Sequence, residues 1–234
     1  MAEKEANGLL VIWSYTDPEN RVSYQKWHNC EHMTDRVTIP GFLVGRRYNG
    51  TADAPTFMMY YETRDSKVLA SEAYMRSLNN PTPWARQTIP TLKKTVRGIY
   101  TLLSSAGKKA LTEAPFLLMV RFNSIPGKEK EVVQWYKEKH LPRISQVPGV
   151  HRGILYEMDD EVSNIKTEER KIHGGGPGSQ KYLAIYELSE LDLPSRVEWK
   201  NAYQAGGTPE FLKNMMEVLQ ESYWLDFVMY SPNK

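Results

Sequence analysis

Trp27-His28-Asn29-Cys30-Glu31-His32 runs on to Ile39-Pro40-Gly41-Phe42 and Gly45-Arg46-Arg47-Tyr48, and 108 residues later the chain reads Trp135-Tyr136-Lys137-Glu138-Lys139-His140, Val147-Pro148-Gly149-Val150 and Gly153-Ile154-Leu155-Tyr156. Laid over residues 117–156 without a gap, residues 9–48 match at nine of forty positions. Chance would supply roughly two or three at average residue frequencies. The matches include Trp27/Trp135, His32/His140, Pro40/Pro148, Gly41/Gly149, Gly45/Gly153 and Tyr48/Tyr156. An internal repeat of this kind decides the fold before any other reading.

Working outward, each copy predicts the same order of elements. A strand (Leu9–Tyr15; Phe116–Phe122) precedes a helix, about Pro18 to Thr38 and Gly127 to Gln146, which Pro-Gly then ends. Two strands follow (Phe42–Tyr48 and Phe57–Thr63; Val150–Tyr156 and Tyr182–Leu188). Next come a proline-interrupted helix (Ser66 to Leu92; Leu193 to Leu219) and a last strand (Val96–Leu103; Tyr223–Tyr230). This is βαββαβ, the ferredoxin-like motif, twice. The expected class is α+β, with repeats at 1–108 and 109–234 and a barrel-like core of antiparallel strands. Tyr61-Glu62 matches Tyr186-Glu187 at an offset of 125, so about 17 residues have entered the later copy. The charged, then glycine-rich stretch at about 159–180 reads as that insertion, an exposed mobile loop. Ser104 to Thr112 reads as the linker.

The balance of 30 basic and 28 acidic residues in 234 gives a net charge of +2, with no field to attract nucleic acid. The longest apolar runs, Leu9–Trp13 and Phe116–Val120, have five residues each. A membrane helix needs about 20. The polar start has no signal-peptide core, and the single Cys30 excludes an internal disulfide and suits a reducing, cytoplasmic setting.

The paired Trp-x-x-x-x-His and Pro-Gly segments resemble the dimeric α/β-barrel superfamily, closest in flavour to its EthD-like members, as a tandem of two units. The resemblance implies an antiparallel barrel with a small-molecule cavity between each sheet and its helices. The superfamily hosts cofactor-free cyclases, isomerases, lyases and monooxygenases as well as haem enzymes, so fold alone does not choose the reaction.

Helical spacing sets His28, Glu31, His32 and Asp35 on one stripe, where the second copy has Tyr136, Lys139, His140 and Arg143. The first copy is the better equipped for acid–base work, because imidazole titrates near neutrality. A capping or half-buried structural role is the competing reading of His32 and His140; Glu31 and Asp35 read as solvated. Alternation puts Arg46 and Tyr48 on one face of their strand and Arg47 on the other. His28-x-x-Glu31-His32 also matches a zinc-protease pattern, but no third ligand is identifiable and no metal is expected. His173-Gly174-Gly175-Gly176 lacks both the G-x-S-x-G partner of a lipase oxyanion loop and the Gly-Lys ending of a phosphate loop. Cys30 reads as packing.

These residues lead to the expectation of a cofactor-independent lyase or isomerase acting on a small aromatic or enolisable molecule. His32 is its general acid–base, assisted by His28. Tyr48 donates a hydrogen bond to the substrate oxygen and Arg46 anchors it, with Tyr61, Trp84 and His140 as further binding residues. The alternatives are a cofactor-free monooxygenase or cyclase, a haem enzyme using His32 or His140 as axial ligand, and a non-catalytic binding or stress protein. The expected partners are a small-molecule substrate and a second copy of the chain through a sheet face.

Overall fold

The computed structural model describes residues 6–51, 54–205 and 208–233. The strands are β1 (Gly8–Thr16), β2 (Phe42–Gly50), β3 (Phe57–Thr63), β4 (Leu92–Gly107), β5 (Phe116–Ser124), β6 (Val150–Met158), β7 (Tyr182–Leu188) and β8 (Met215–Tyr230). They close an antiparallel barrel in the order β1-β3-β2-β8-β5-β7-β6-β4. Six of its eight ladders lie within one half of the chain. The other two, β2 with β8 and β4 with β6, join the halves.

A helical run in each half covers the outer face of the sheet. In the first half α1 (Arg21–Trp27) and α2 (Met33–Val37) flank a π-turn at His28–His32. In the second, α5 (Glu129–Trp135) and α6 (Leu141–Ile144) flank a π-turn at Tyr136–His140. In both, the amide after the turn reaches back five residues, Met33 to the His28 carbonyl and Leu141 to the Tyr136 carbonyl. Such bulges within helices are frequent at functional sites. The first half adds α3 (Glu72–Asn79) and α4 (Pro83–Thr88); the second adds α9 (Val197–Gln204) and α10 (Thr208–Leu212).

Two shared glycines show how tightly helix and sheet meet. Gly41 ends the first helical run at φ +98°, and a Cβ there would lie 2.6 Å from Val68 Cγ2. Gly45 lies where Met33 presses on β2, and its Cβ would fall 2.2 Å from the Met33 sulfur. Apolar side chains sort into three clusters, one under each helical layer and one filling the barrel lumen, which holds Leu9, Trp13, Tyr48, Tyr60, Ile154 and Tyr156.

The structure corrects four expectations. The helix drawn to Leu219 stops at Leu212, because Met215 and Met216 pair with Ser124 and Asn123 at the far end of β5. The stretch read as a linker is strand through Gly107, which pairs with Arg152. The 159–180 insertion is not an exposed loop. It carries α7 (Asp160–Ser163) and α8 (Glu168–His173), buries Val162 and Ser163, and returns to the barrel where the Arg97 amide donates to the Gly176 carbonyl (2.9 Å). Cys30 is exposed rather than packed. No helix among the described residues is long and apolar enough to cross a membrane.

Candidate active site

The candidate site lies in the first half, between the outer faces of β1 and β3, the helices α1 to α4 and the insertion. β3 alternates, sending Phe57, Met59 and Tyr61 toward the helices and Met58 and Tyr60 into the lumen. The cavity, about 50 Å³, has aromatic and aliphatic walls that include Leu10, Tyr24, Trp27, Tyr61, Tyr74 and Ile89. The insertion closes it with Ile165, Thr167, Glu169, Arg170 and His173.

His28 is fully buried between two partners. Its Nδ1 lies 3.1 Å from Arg47 Nη1 and its Nε2 3.0 Å from the Tyr61 hydroxyl. A guanidinium can only donate, so Nδ1 accepts and Nε2 carries the proton given to Tyr61. Burial, then Arg47 and Arg36, hold the His28 pKa well below the ordinary imidazole value and keep the ring neutral. Arg47 is itself fixed by Asp226 (2.7 Å) and Asn29 (2.6 Å). The Tyr61 hydroxyl therefore accepts from His28 and keeps its own proton for the cavity it lines. Burial raises the pKa of that hydroxyl well above the ordinary phenol value.

His32 is different. It packs on Trp27 in a tilted contact (centroids 4.4 Å apart), stands 5.6 Å from the His28 ring, lines the cavity and makes no side-chain hydrogen bond among the described residues. Burial, then Arg36 and His28, push its pKa well below the usual value, leaving an uncharged imidazole with a free lone pair. The ring beneath it is fixed: Trp27 Nε1 donates to Glu31 (2.9 Å), which also accepts from Thr82 (2.6 Å). Glu31, expected to be solvated, thus ties Trp27 of α1 to Thr82, the N-cap of α4.

The second half builds the same place differently. Tyr136 occupies the position of His28, and His140, the counterpart of His32, is the ring that bonds the strand tyrosine, with Nε2 2.8 Å from the Tyr186 hydroxyl. His140 is 1% exposed, packs on Trp135 at 4.6 Å, and has its pKa lowered to about 3 by burial and then by Arg143. Trp135 Nε1 has no hydrogen-bond partner among the described residues, and Lys139 stands where Glu31 accepts in the first half. A more open hollow of about 240 Å³, walled by Tyr136, Tyr186, Trp199 and Tyr203, lies beside this tyrosine.

Of the residues singled out in the sequence, the structure brings His32 and Tyr61 to one cavity, with His28 buried behind it and bonded to Tyr61. Arg46 and Tyr48 do not join them, which corrects their expected part in holding substrate. Their shared face points into the lumen, where Arg46 pairs with Glu113 (2.6 Å) and Glu62 (3.4 Å) and Tyr48 packs against Tyr60. Trp84 packs against the first-half core without lining the cavity, and His140 serves the other half. His28 is not bonded to His32; its hydrogen bond goes to Tyr61. Residues that sequence reasoning missed include Arg36, Thr95, Arg97, Glu169 and Arg170. Trp27, repeated as Trp135, had a readable signal; the insertion residues have no counterpart and gave none.

Among the described residues no three His, Cys, Asp or Glu side chains group as metal ligands do. Haem does not fit either. The macrocycle greatly exceeds the cavity as it stands in this structure.

No protein-family model matches the chain, and no curated protein matches it in sequence. Solved structures do. An anthrone oxidase-like protein superposes with a TM-score of 0.63 at 11% identity, over 98% of this chain and 95% of that one. A protein named as a monooxygenase from Fusobacterium nucleatum subsp. nucleatum gives 0.59 at 11% identity, over 96% and 95%. Another so named, from Lactobacillus acidophilus, gives 0.57 at 10%, over 96% and 97%. Likeness of this breadth at such low identity establishes the fold: an antiparallel dimeric α/β barrel, closed here within one chain.

Proposed function

We propose that this barrel is a small-molecule monooxygenase that works by proton abstraction, taking an enolisable aromatic compound and molecular oxygen as its substrates. One observation carries the reading: His32 is an uncharged imidazole with no side-chain hydrogen bond among the described residues, in the aromatic cavity that Tyr61 also lines, whereas its counterpart His140 is committed to Tyr186. A lyase or isomerase would use the same base. The fold neighbours named as oxidase-like or as monooxygenases favour oxygen as the partner of the carbanion that His32 releases.

In this reading His32 accepts a proton from an activated CH₂ group, and the Tyr61 proton meets the charge that grows on the conjugated oxygen. Oxygen then converts CH₂ to C=O, one atom staying in the product and the other leaving as water. The substrate supplies all four electrons, so the balance needs no flavin, haem or external reductant. His28 is a positioning residue: by donating to Tyr61 it turns the phenolic proton toward the cavity. At about 50 Å³ the partly closed cavity has room for only a few waters. An aromatic substrate therefore enters when the insertion that carries Glu169 and Arg170 swings aside.

The test uses anthrone in two conditions. In air, oxygen uptake above the spontaneous rate should require no reductant and be lost in His32→Ala. Without oxygen, in D₂O, the enzyme should still exchange the CH₂ protons. Exchange without uptake in air would return the chain to the lyase or isomerase reading. Uptake that survives His32→Ala would sink the role of His32.

A further inference from the structure

The charged groups lining the cavity do not balance. Three guanidiniums, Arg36, Arg97 and Arg170, face one carboxylate, Glu169. Glu169 is bound to Arg36, a buried pair that joins α2 to α8. Arg170 spends its donors on the carbonyls of Asn164, Ile165 and Gly175, which are dipoles and not countercharges. Arg97 has one side-chain hydrogen bond, to the Tyr74 hydroxyl at 3.3 Å, and no carboxylate partner among the described residues. Arg36 and Arg97 both face the Tyr74 ring, with guanidinium carbons 5.9 and 6.0 Å from its centroid.

The surplus charge acts on its neighbours. His173, on α8, has its pKa lowered to about 4 by burial and then by Arg97 and Arg170, so it adds a neutral donor or acceptor rather than another cation. Unpaired guanidiniums in a partly closed, aromatic-walled site favour an anion that can take two parallel N–H bonds.

We infer that the cavity is built for an anionic ligand, a small aromatic molecule bearing a carboxylate, with Arg97 as the group that receives the carboxylate. This rests on the first-half cavity being the substrate site and narrows the substrate to an aromatic acid. The anion sits at the end formed by Tyr74, Thr95, Arg97 and His173, and the ring runs toward Trp27 and Tyr61. Arg46, the arginine favoured for this task in the sequence, is paired with Glu62 and Glu113 in the lumen.

The experiment is calorimetric titration of the full chain with 2-naphthoate and its neutral isostere 2-naphthamide. The expected result is that the acid binds at least about tenfold more tightly than the amide. Arg97→Gln should erase that preference while leaving amide binding within about twofold, and Arg97→Lys, which keeps the charge, should restore part of it. Lys200→Gln, at the mouth of the second-half hollow, should change nothing. Equal binding of acid and amide, or of neither, would overturn the inference. So would a preference that survives Arg97→Gln or is lost with Lys200→Gln. Binding requires neither oxygen nor His32, so failure of the oxygenase reading would leave these titrations unchanged, and the reverse also holds.

Discussion

The two helix-covered faces of the barrel share a tryptophan, a histidine four residues after a π-turn begins, and a strand tyrosine, yet they wire them in opposite ways. In the first half Tyr61 is held by His28, and His32 is left free over the cavity. In the second half the place of His28 is taken by Tyr136, and His140 must hold Tyr186 itself. One substitution, imidazole for phenol at the first position of the π-turn, separates an imidazole open for chemistry from one locked into packing. A shared histidine is therefore not a shared role; what its neighbour leaves unbonded decides.

The contrast can be broken most decisively at its centre. His32→Ala should lower turnover by about 10²–10⁴-fold, the usual worth of a positioned base, with a small change in the denaturation midpoint. His140→Ala should do the reverse. Removing a buried ring and its bond to Tyr186 should cost about 2–4 kcal/mol in chemical denaturation, with the oxygen-uptake rate of the folded protein nearly intact. A comparable rate loss in both variants would mean that both halves act.

Converting one half into the other is a sharper test. His28→Tyr gives the first half the second-half pattern and should draw His32 onto Tyr61, reducing turnover about tenfold or more while the barrel stays folded by circular dichroism.

Acid reads the same difference as stability. An imidazole with a depressed folded-state pKa is neutral in the fold and protonated in the unfolded chain below about pH 6.5. Its contribution is thus complete above pH 6.5 and is lost as the pH falls toward the folded value, about 3 for His140. The urea midpoint should fall across that window, and His140→Phe should flatten part of the fall. The oxygen-uptake rate, which depends on neutral His32, should stay level through pH 6–7 and decline only in more acid solution. The smallest effect belongs to Trp135. Lys139→Glu copies the Glu31 acceptor under its unpartnered Nε1 and should stabilise the second half by up to about 1 kcal/mol, seen as a higher melting temperature.

Much of this architecture was legible in the sequence. Strand periodicity, Pro-Gly stops and the offset of 108 located the barrel strands and both helical runs, because a two-residue period and a left-handed glycine are local properties. The face of β2 that meets the helices and His28 was not legible. Alternation correctly parted Arg46 and Tyr48 from Arg47, but in a barrel both faces are buried, one by the lumen and one by a helix. Gly45 held the answer: it shares the parity of Arg47, and only a helix crossing at close range needs a glycine there. The polar end of the cavity was illegible for another reason. Glu169, Arg170 and His173 come from an insertion more than 100 residues away from His32, and no local pattern links the two.

The ladder of β2 with β8 also bears on how the molecule is made on the ribosome. The first half of the chain contributes His32 and Tyr61, but the edge of its sheet finds its partner only when residues 215–230 have been synthesised, and its cavity is closed by residues 165–173. A nascent chain that stalls midway therefore carries an open sheet edge and an unroofed imidazole. The finished site is the product of almost the whole translation event, and a truncated chain lacking β8 cannot complete it.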